Sequence, residues 1–222
     1  MMKRNALVNR LHSVETLGCT SVICSDKTGT ITENKMTVTE LYTPGDRYCF
    51  TGMGYRISGG VLKRNADGSE TAVNPKTEKA LTAALRCGVL CSEAEISTDS
   101  TVKSRSRGSV SGQGEWRISG DPTEAAILIA AAKAGITRQS LSSARRLGSM
   151  PFDSEKKFMA VHIADRSDRL MYLKGAQEVL MPKCEMYMNG SGETVPMTAA
   201  VRGAAEKAAE EMASQALRVL AL

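Results

Sequence analysis

Ser21-Val22-Ile23-Cys24-Ser25-Asp26-Lys27-Thr28-Gly29-Thr30 joins a short apolar run to a polar, glycine-bearing loop. The run 21–25 predicts a buried strand, and the five residues after it predict a loop at that strand's C-terminal tip. A carboxylate placed there suits covalent phosphoryl transfer, because Asp26 can attack phosphorus and form an acyl-phosphate. Lys27 supplies positive charge, Thr28 and Thr30 can donate hydrogen bonds to phosphate oxygens, and Gly29 lets the backbone approach closely. A plain Asp/Gly chain reversal is the alternative source of such a loop.

On either side the periodicity changes. Residues 1 to about 20 read as a connection leading into this strand. Thr37-Val38-Thr39-Glu40-Leu41-Tyr42 alternates with period two and predicts another strand. Tyr48-Cys49-Phe50 and Tyr55-Arg56-Ile57 predict strand ends around turns at Gly52, Gly54, Gly59 and Gly60. After Asn74-Pro75, the residues Ala80, Leu81, Ala84, Leu85 and Gly88 recur at helical spacing. Residues 97–114 hold six serines and three glycines with almost nothing apolar, which predicts a mobile loop.

Trp116-Arg117-Ile118 resumes a strand. A helix over 120–135 is announced by Asp121 as cap, Pro122 at the first position, Glu124 completing a capping box, and Gly135 at the end. Met159-Ala160-Val161-His162-Ile163 and Leu170-Met171-Tyr172-Leu173 predict an antiparallel pair. A short helix over 176–181 stops at Pro182, a long one runs from Thr198 to about Gln215, and 219–222 predicts a further strand. Strands with helices inserted between them indicate an α+β domain with a mainly antiparallel sheet.

Composition narrows the function. At 222 residues the chain is one large domain, or a domain plus part of another. Its net charge of +5 is scattered and only 4% of residues are aromatic, so it has no stacking platform for nucleic acid. A positive surface equally suits a polyphosphate. Cys19, Cys24, Cys49, Cys87, Cys91 and Cys184 form no paired zinc arrangement, and His12 and His162 are too far apart to help. Cys87 and Cys91, four apart on a predicted helix, read as reduced, packed thiols. The absence of a signal peptide points to a reducing, cytosolic setting. No apolar run reaches the roughly 20 residues needed to span a bilayer.

Residues 13–38, SVETLGCTSVICSDKTGTITENKMTV, closely resemble the phosphorylation loop of P-type ATPases, most of all the type II calcium pumps and their sodium/potassium relatives. Gly120-Asp121-Pro122-Thr123-Glu124, Phe152-Asp153-Ser154-Glu155-Lys156-Lys157, Lys174-Gly175-Ala176 and Ala216-Leu217-Arg218-Val219-Leu220-Ala221 follow in the family's order. The resemblance implies that 1–36 are the first strand and loop of a haloacid dehalogenase-like phosphorylation domain. It implies that 37–222 are the nucleotide-binding domain, a twisted antiparallel sheet flanked by helices. The abrupt start and the apolar end favour an excised piece of a pump, itself a membrane protein, with this segment on the cytoplasmic side. Its partners would be ATP or ADP and the rest of the pump: the transmembrane and actuator portions and the remaining phosphorylation domain. The piece alone is expected to be monomeric.

The same resemblance assigns a nucleotide site. Phe152 offers adenine a flat face, the alternative being a core phenylalanine at a strand edge. Lys157 and Lys174 are candidate cations for phosphate or ring; Lys174 ends an apolar strand before Gly175-Ala176, so its stem should be packed. Glu124 is explained by capping alone, while the family places the matching glutamate near the adenine amino group. Arg218 matches an arginine that reaches the phosphates, against a plain strand-edge arginine.

In the family's cycle the γ-phosphoryl group passes from ATP to the aspartate, with Mg²⁺ neutralising charge. Asp26 and the Thr28 carbonyl would give only part of the metal's shell, and the family's other catalytic loops do not occur in this sequence. The expectation is therefore nucleotide binding without turnover, with hinge closure over 37–38 in the whole pump. Two alternatives remain. A stand-alone haloacid dehalogenase-type phosphatase would normally carry an acid two positions after the nucleophile, where Thr28 stands. A non-catalytic nucleotide-binding module is the other.

Overall fold

The computed structural model describes Glu15 and residues 18–98 and 116–222, which fall into two compact units, Met1–Asn34 and Lys35–Leu222. In the first unit the expected strand over 21–25 is not formed. Val22 is 71% and Ile23 84% exposed, and no described strand pairs with them. A strand needs a neighbour to take up its backbone groups and cover its side chains.

The loop after it is a tight turn. Thr28 (φ −80°, ψ 121°) and Gly29 (φ 75°, ψ 0°) have the dihedrals of a type II turn. The Thr32 N–H closes it onto the Lys27 carbonyl at 3.0 Å. Gly29 is required here because the third turn position needs positive φ.

The second unit opens with a four-stranded antiparallel meander: β1 (Glu40–Thr43), β2 (Asp46–Phe50), β3 (Val61–Arg64) and β4 (Glu70–Ala72). Helix α1 (Lys79–Leu90) follows, then the hairpin partners β5 (Glu95–Thr98) and β6 (Trp116–Ser119), and helix α2 (Pro122–Lys133). A three-stranded sheet comes next, β7 (Ala144–Asp153), β8 (Phe158–Asp165) and β9 (Asp168–Gly175). The chain continues through a single turn α3 (Gln177–Leu180), the pair β10 (Met186–Met188) and β11 (Thr194–Pro196), and helix α4 (Ala199–Ser214). Every described strand pair is antiparallel, but the strands form four separate sheets, where one twisted sheet was expected.

Several expectations need correction. The strand foreseen from Thr37 begins at Glu40. Tyr55-Arg56-Ile57 is not a strand; it lies in a loop closed by the Thr51 N–H on the Gly60 carbonyl at 3.0 Å. Gly52 (φ 84°) and Gly59 (φ 116°) hold that closure, since a side chain on either would strike the Ser58 or Thr51 carbonyl. Ser97 and Thr98 of the foreseen mobile loop belong to β5, and 99–115 lie outside the described residues. Residues 219–222 make one bridge, Gly175 to Ala221, and no strand.

Two cores share α1. Leu81, Leu85 and Val89 pack with Tyr48, Phe50 and Val61 of the meander and with Leu128, Ala130 and Ala131 of α2. Cys87 and Cys91 pack with Met159, Val161 and Ile163 of β8. With sheet on one side and helix on another, α2 is buried continuously from Ala125 to Ala131, the pattern of an interior helix. Gly88 lets α1 approach α2: an added Cβ would lie 2.5 Å from Ile127 Cγ2.

Opposite effects are therefore expected from one substitution at two helical glycines. Gly88→Ala should destabilise by about 1–3 kcal/mol, because the β-branched Ile127 has little freedom to yield. Gly203→Ala, on the exposed face of α4 with nothing near its Cβ, should stabilise by about 0.5–1 kcal/mol. Denaturant midpoints moving the same way would contradict this packing.

Candidate functional site

Lys174 lies on β9 opposite Met159 of β8, on the sheet face that packs against α1. Only 7% of the residue is exposed. Burying an ammonium is costly unless its donors are met, and here two are. Lys174 Nζ donates to the Cys91 carbonyl at 2.7 Å and to Glu124 Oε1 at 2.7 Å. The other Glu124 oxygen accepts the Glu93 N–H at 2.7 Å and the Ala94 N–H at 2.9 Å.

This corrects the capping-box explanation of Glu124. Asp121 caps α2 as foreseen, accepting from the N–H groups of Thr123 at 2.7 Å and Glu124 at 3.2 Å. The Glu124 carboxylate does not return to Asp121; both oxygens go to Lys174 and to the chain between α1 and β5. Burial pushes the Glu124 carboxyl up, but the Lys174 ammonium and the two N–H groups outweigh it and hold it below the ordinary range.

Around this pair stand other residues singled out from the sequence. Gly175 pairs across the sheet with Phe158, and a side chain there would strike Phe158 and lie 2.5 Å from the Lys157 carbonyl. Its backbone also pairs with Ala221, N–H to carbonyl at 3.1 Å and 2.9 Å. Lys157 turns the chain between β7 and β8 with φ 58° and reaches Glu178 Oε1 at 3.1 Å from an exposed position. Phe152 sits in the irregular stretch of β7 between Met150 and Asp153, 63% exposed. That excludes the core-phenylalanine alternative. Arg218 is exposed and donates to the Thr123 hydroxyl at 2.9 Å, outside any strand.

Phe152, Lys157, Lys174 and Gly175 thus gather at one end of the β7–β9 sheet. Glu124 joins them through Lys174, and Arg218 through Thr123 and the nearby Ala221 bridge. Asp26, Lys27 and Thr28 belong to the other unit, where Asp26 Oδ1 accepts the Lys27 N–H at 2.7 Å. Asp26 and the Thr28 carbonyl offer hard oxygen donors that fit Mg²⁺ chemistry but leave its octahedron incomplete. Among the described residues, no three of His, Cys, Asp and Glu gather as a metal site.

Sequence reasoning missed several contributors. The Cys91 carbonyl and the Glu93 and Ala94 N–H groups act through backbone, which carries no side-chain signal. Thr123 was readable only as part of the motif around Glu124. A cleft of about 240 Å³ opens between residues 36–41, α2 and 212–222, with Thr123 and Arg218 in its wall and otherwise mainly apolar sides. A more open hollow of about 380 Å³ lies by Arg138 and Arg146. Neither is lined by Phe152, Lys157 or Lys174. Phe152 and Lys157 are exposed, whereas Lys174 is buried in its pair with Glu124.

The ion pair has a pH signature. A carboxyl depressed in the folded state stabilises fully above its unfolded value, about 4.3 for glutamate, and that contribution is lost as pH falls toward the folded value. Glu124→Gln leaves a buried ammonium without its counter-ion, so it should cost about 2–3 kcal/mol near neutrality. The gap between wild type and variant should narrow as urea denaturation is repeated toward about pH 3. A gap that stays constant would show that Glu124 is not ionised by this pair.

Comparison with known proteins adds to this geometry. Residues 80–222 match the family model described as P-type ATPase, cytoplasmic domain N. The whole chain is 38% identical over 222 residues to the cation-transporting ATPase pma1 of Synechocystis sp., of which it covers 23%. It is 37% identical over 226 residues to the calcium-transporting ATPase of Bacillus subtilis, covering 100% of this chain and 23% of that protein. To the calcium-transporting ATPase type 2C member 1 of Homo sapiens it is 34% identical over 227 residues, covering 100% of this chain and 22% of that protein. The chain spans less than a quarter of the length of these relatives. With the family match running through α1, α2, the β7–β9 sheet and α4, this chain belongs to the P-type ATPases, its residues 80–222 corresponding to their cytoplasmic domain N.

Proposed function

We propose that residues 35–222 bind ATP and ADP at the end of the β7–β9 sheet. In the whole protein this ATP phosphorylates Asp26 to drive cation transport, with calcium the favoured ion. The observation that supports the binding site is the buried Lys174–Glu124 pair at the same end of the β7–β9 sheet as the exposed Phe152 ring. Phe152 offers a face on which a purine can stack, and Lys157 and Arg218 offer exposed charge for a polyphosphate tail. The relatives named for calcium transport support the choice of ion.

The chemistry follows from Asp26. One carboxylate oxygen attacks the γ-phosphorus as the bond to the β,γ-bridging oxygen breaks, leaving an acyl-phosphate and ADP. Mg²⁺, held in part by Asp26 and the Thr28 carbonyl, would neutralise the charge that develops on phosphate oxygens. Thr28 stands where a phosphatase of this type would carry a general acid, which favours a persistent phospho-aspartate.

Transport belongs to a longer protein. No described helix is long and apolar enough to cross a membrane, so the ion pathway would come from the transmembrane portion of the pump. The actuator portion and the rest of the phosphorylation domain would act on Asp26, with this segment on the cytoplasmic side.

Isothermal titration with ATP and ADP tests the binding site directly. Phe152→Ala removes an exposed ring without opening a core, and it should weaken nucleotide binding about tenfold or more. Lys174→Ala should weaken it as well. Binding heat indifferent to both substitutions would refute the pocket. Phosphate release from Mg-ATP by the 222-residue chain is expected to be absent; release abolished by Asp26→Asn would overturn the view that other portions are needed.

A further inference from the structure

The chain that leaves α1 for β5 has its peptide groups held by charged side chains. Helix α1 ends at Leu90, with Cys91 as its C-cap. The Cys91 carbonyl accepts from Lys174 Nζ at 2.7 Å. In the next peptide group, the Ser92 carbonyl accepts from Arg138 Nη2, and the Glu93 N–H donates to Glu124 Oε2 at 2.7 Å. The Ala94 N–H donates to the same carboxylate oxygen at 2.9 Å. Ser92 is 4% and Ala94 2% exposed, and the Ser92 hydroxyl donates back to the Gly88 carbonyl at 2.7 Å. One peptide group thus carries a cation at its oxygen and an anion at its hydrogen. In a trans peptide the C=O and N–H point opposite ways, so Arg138 and Glu124 reach the chain from opposite sides.

Helix capping does not account for Arg138. A cation near a helix C-terminus ordinarily serves the carbonyls left free in the last turn, whereas Ser92 lies beyond the C-cap. Arg138 comes from after α2, at the head of the short turn Gln139–Leu141. A guanidinium on a carbonyl oxygen draws electron density through the peptide and strengthens the N–H at its other end as a donor. That N–H is one of the groups that hold the Glu124 carboxylate, together with the Ala94 N–H and Lys174. Arg146, in the same hollow as Arg138, pairs instead with the Glu93 carboxylate at 3.3 Å.

We propose that Arg138 is a positioning residue for the nucleotide site, acting through the Ser92–Glu93 peptide group on Glu124 and, through Glu124, on Lys174. The order is guanidinium, peptide, carboxylate, ammonium, with opposite charge facing at each step. Arg138 lines a hollow whose wall contains none of Phe152, Lys157 and Lys174, so its influence on the nucleotide is indirect. That influence rests on the nucleotide reading given above; the coupling of Arg138 to Glu124 does not.

Urea denaturation of the 222-residue parent, Arg138→Gln, Glu124→Gln and the double variant reads the coupling. Arg138→Gln should lower the folding constant about tenfold in the parent and about twofold or less beside Glu124→Gln. Equal factors in the two backgrounds would overturn the relay. Isothermal titration reads the nucleotide. Arg138→Gln should weaken ATP and AMP alike, by about tenfold. Arg138→Lys, which keeps a charged donor, should recover most of that loss, and Arg146→Gln should change affinity by less than about twofold. A loss larger for ATP than for AMP, or equal in Arg138→Gln and Arg146→Gln, would reduce the effect to surface charge and overturn the positioning role. A parent chain that binds neither nucleotide would refute the nucleotide reading and the positioning role with it, leaving the denaturation cycle to decide the coupling alone.

Discussion

An ammonium taken out of water must find fixed partners, and the second unit is arranged around one that has. Lys174 is bonded to the end of α1 through the Cys91 carbonyl and to the start of α2 through Glu124. The second oxygen of Glu124 ties down the chain that leaves α1 for β5. One ion pair therefore fixes four segments relative to one another: both helices, the connection between α1 and β5, and the end of β9. Such a pair adds little net stability over an apolar replacement, but breaking it leaves an unpaired buried charge. Its effect is to permit a single arrangement.

That arrangement explains which parts of the fold were legible. Helix α2 announces itself because Asp121, Pro122 and Gly135 each satisfy a terminal requirement of any helix, wherever it packs. The β8–β9 hairpin is equally plain, since alternation continues on both sides of a polar turn. Strand β7 is hidden for the opposite reason. Its register shifts between Arg146 and Gly148 and again between Met150 and Asp153, and each irregularity breaks the two-residue period that would betray it. The run over 21–25 misled because an apolar segment shows what a strand needs without showing that a neighbour is there to meet it.

The site was legible only in its side chains. Phe152 and Lys157 stand out through the family's motifs; residue type alone leaves Phe152 equally a core ring, and its exposure comes only from the fold. Glu124 shows the limit most clearly. Its spacing from Asp121 satisfies the capping rule in full, yet the carboxylate goes elsewhere, because partners 30 and 50 residues away compete for it. Local spacing cannot rank a local bond against one supplied by tertiary structure.

The same bonds divide labour among the cations. Lys174 has three N–H donors; Cys91 and Glu124 take two, and its charge is matched by the carboxylate beside it. Under the proposed nucleotide reading, a ligand reaching this pair would meet a nearly neutral dipole, which suits the edge of a heterocycle better than a triphosphate. Lys157 and Arg218 stand differently. Both are exposed, Arg218 faces a hydroxyl instead of a carboxylate, and Lys157 is paired only with the surface residue Glu178. Exposed charges of this kind exchange partners at little cost, so under the proposed nucleotide reading the phosphates would be met by Lys157 and Arg218. Phe152 then needs to be exposed, because a ring already packed in a core would have no face left for a purine.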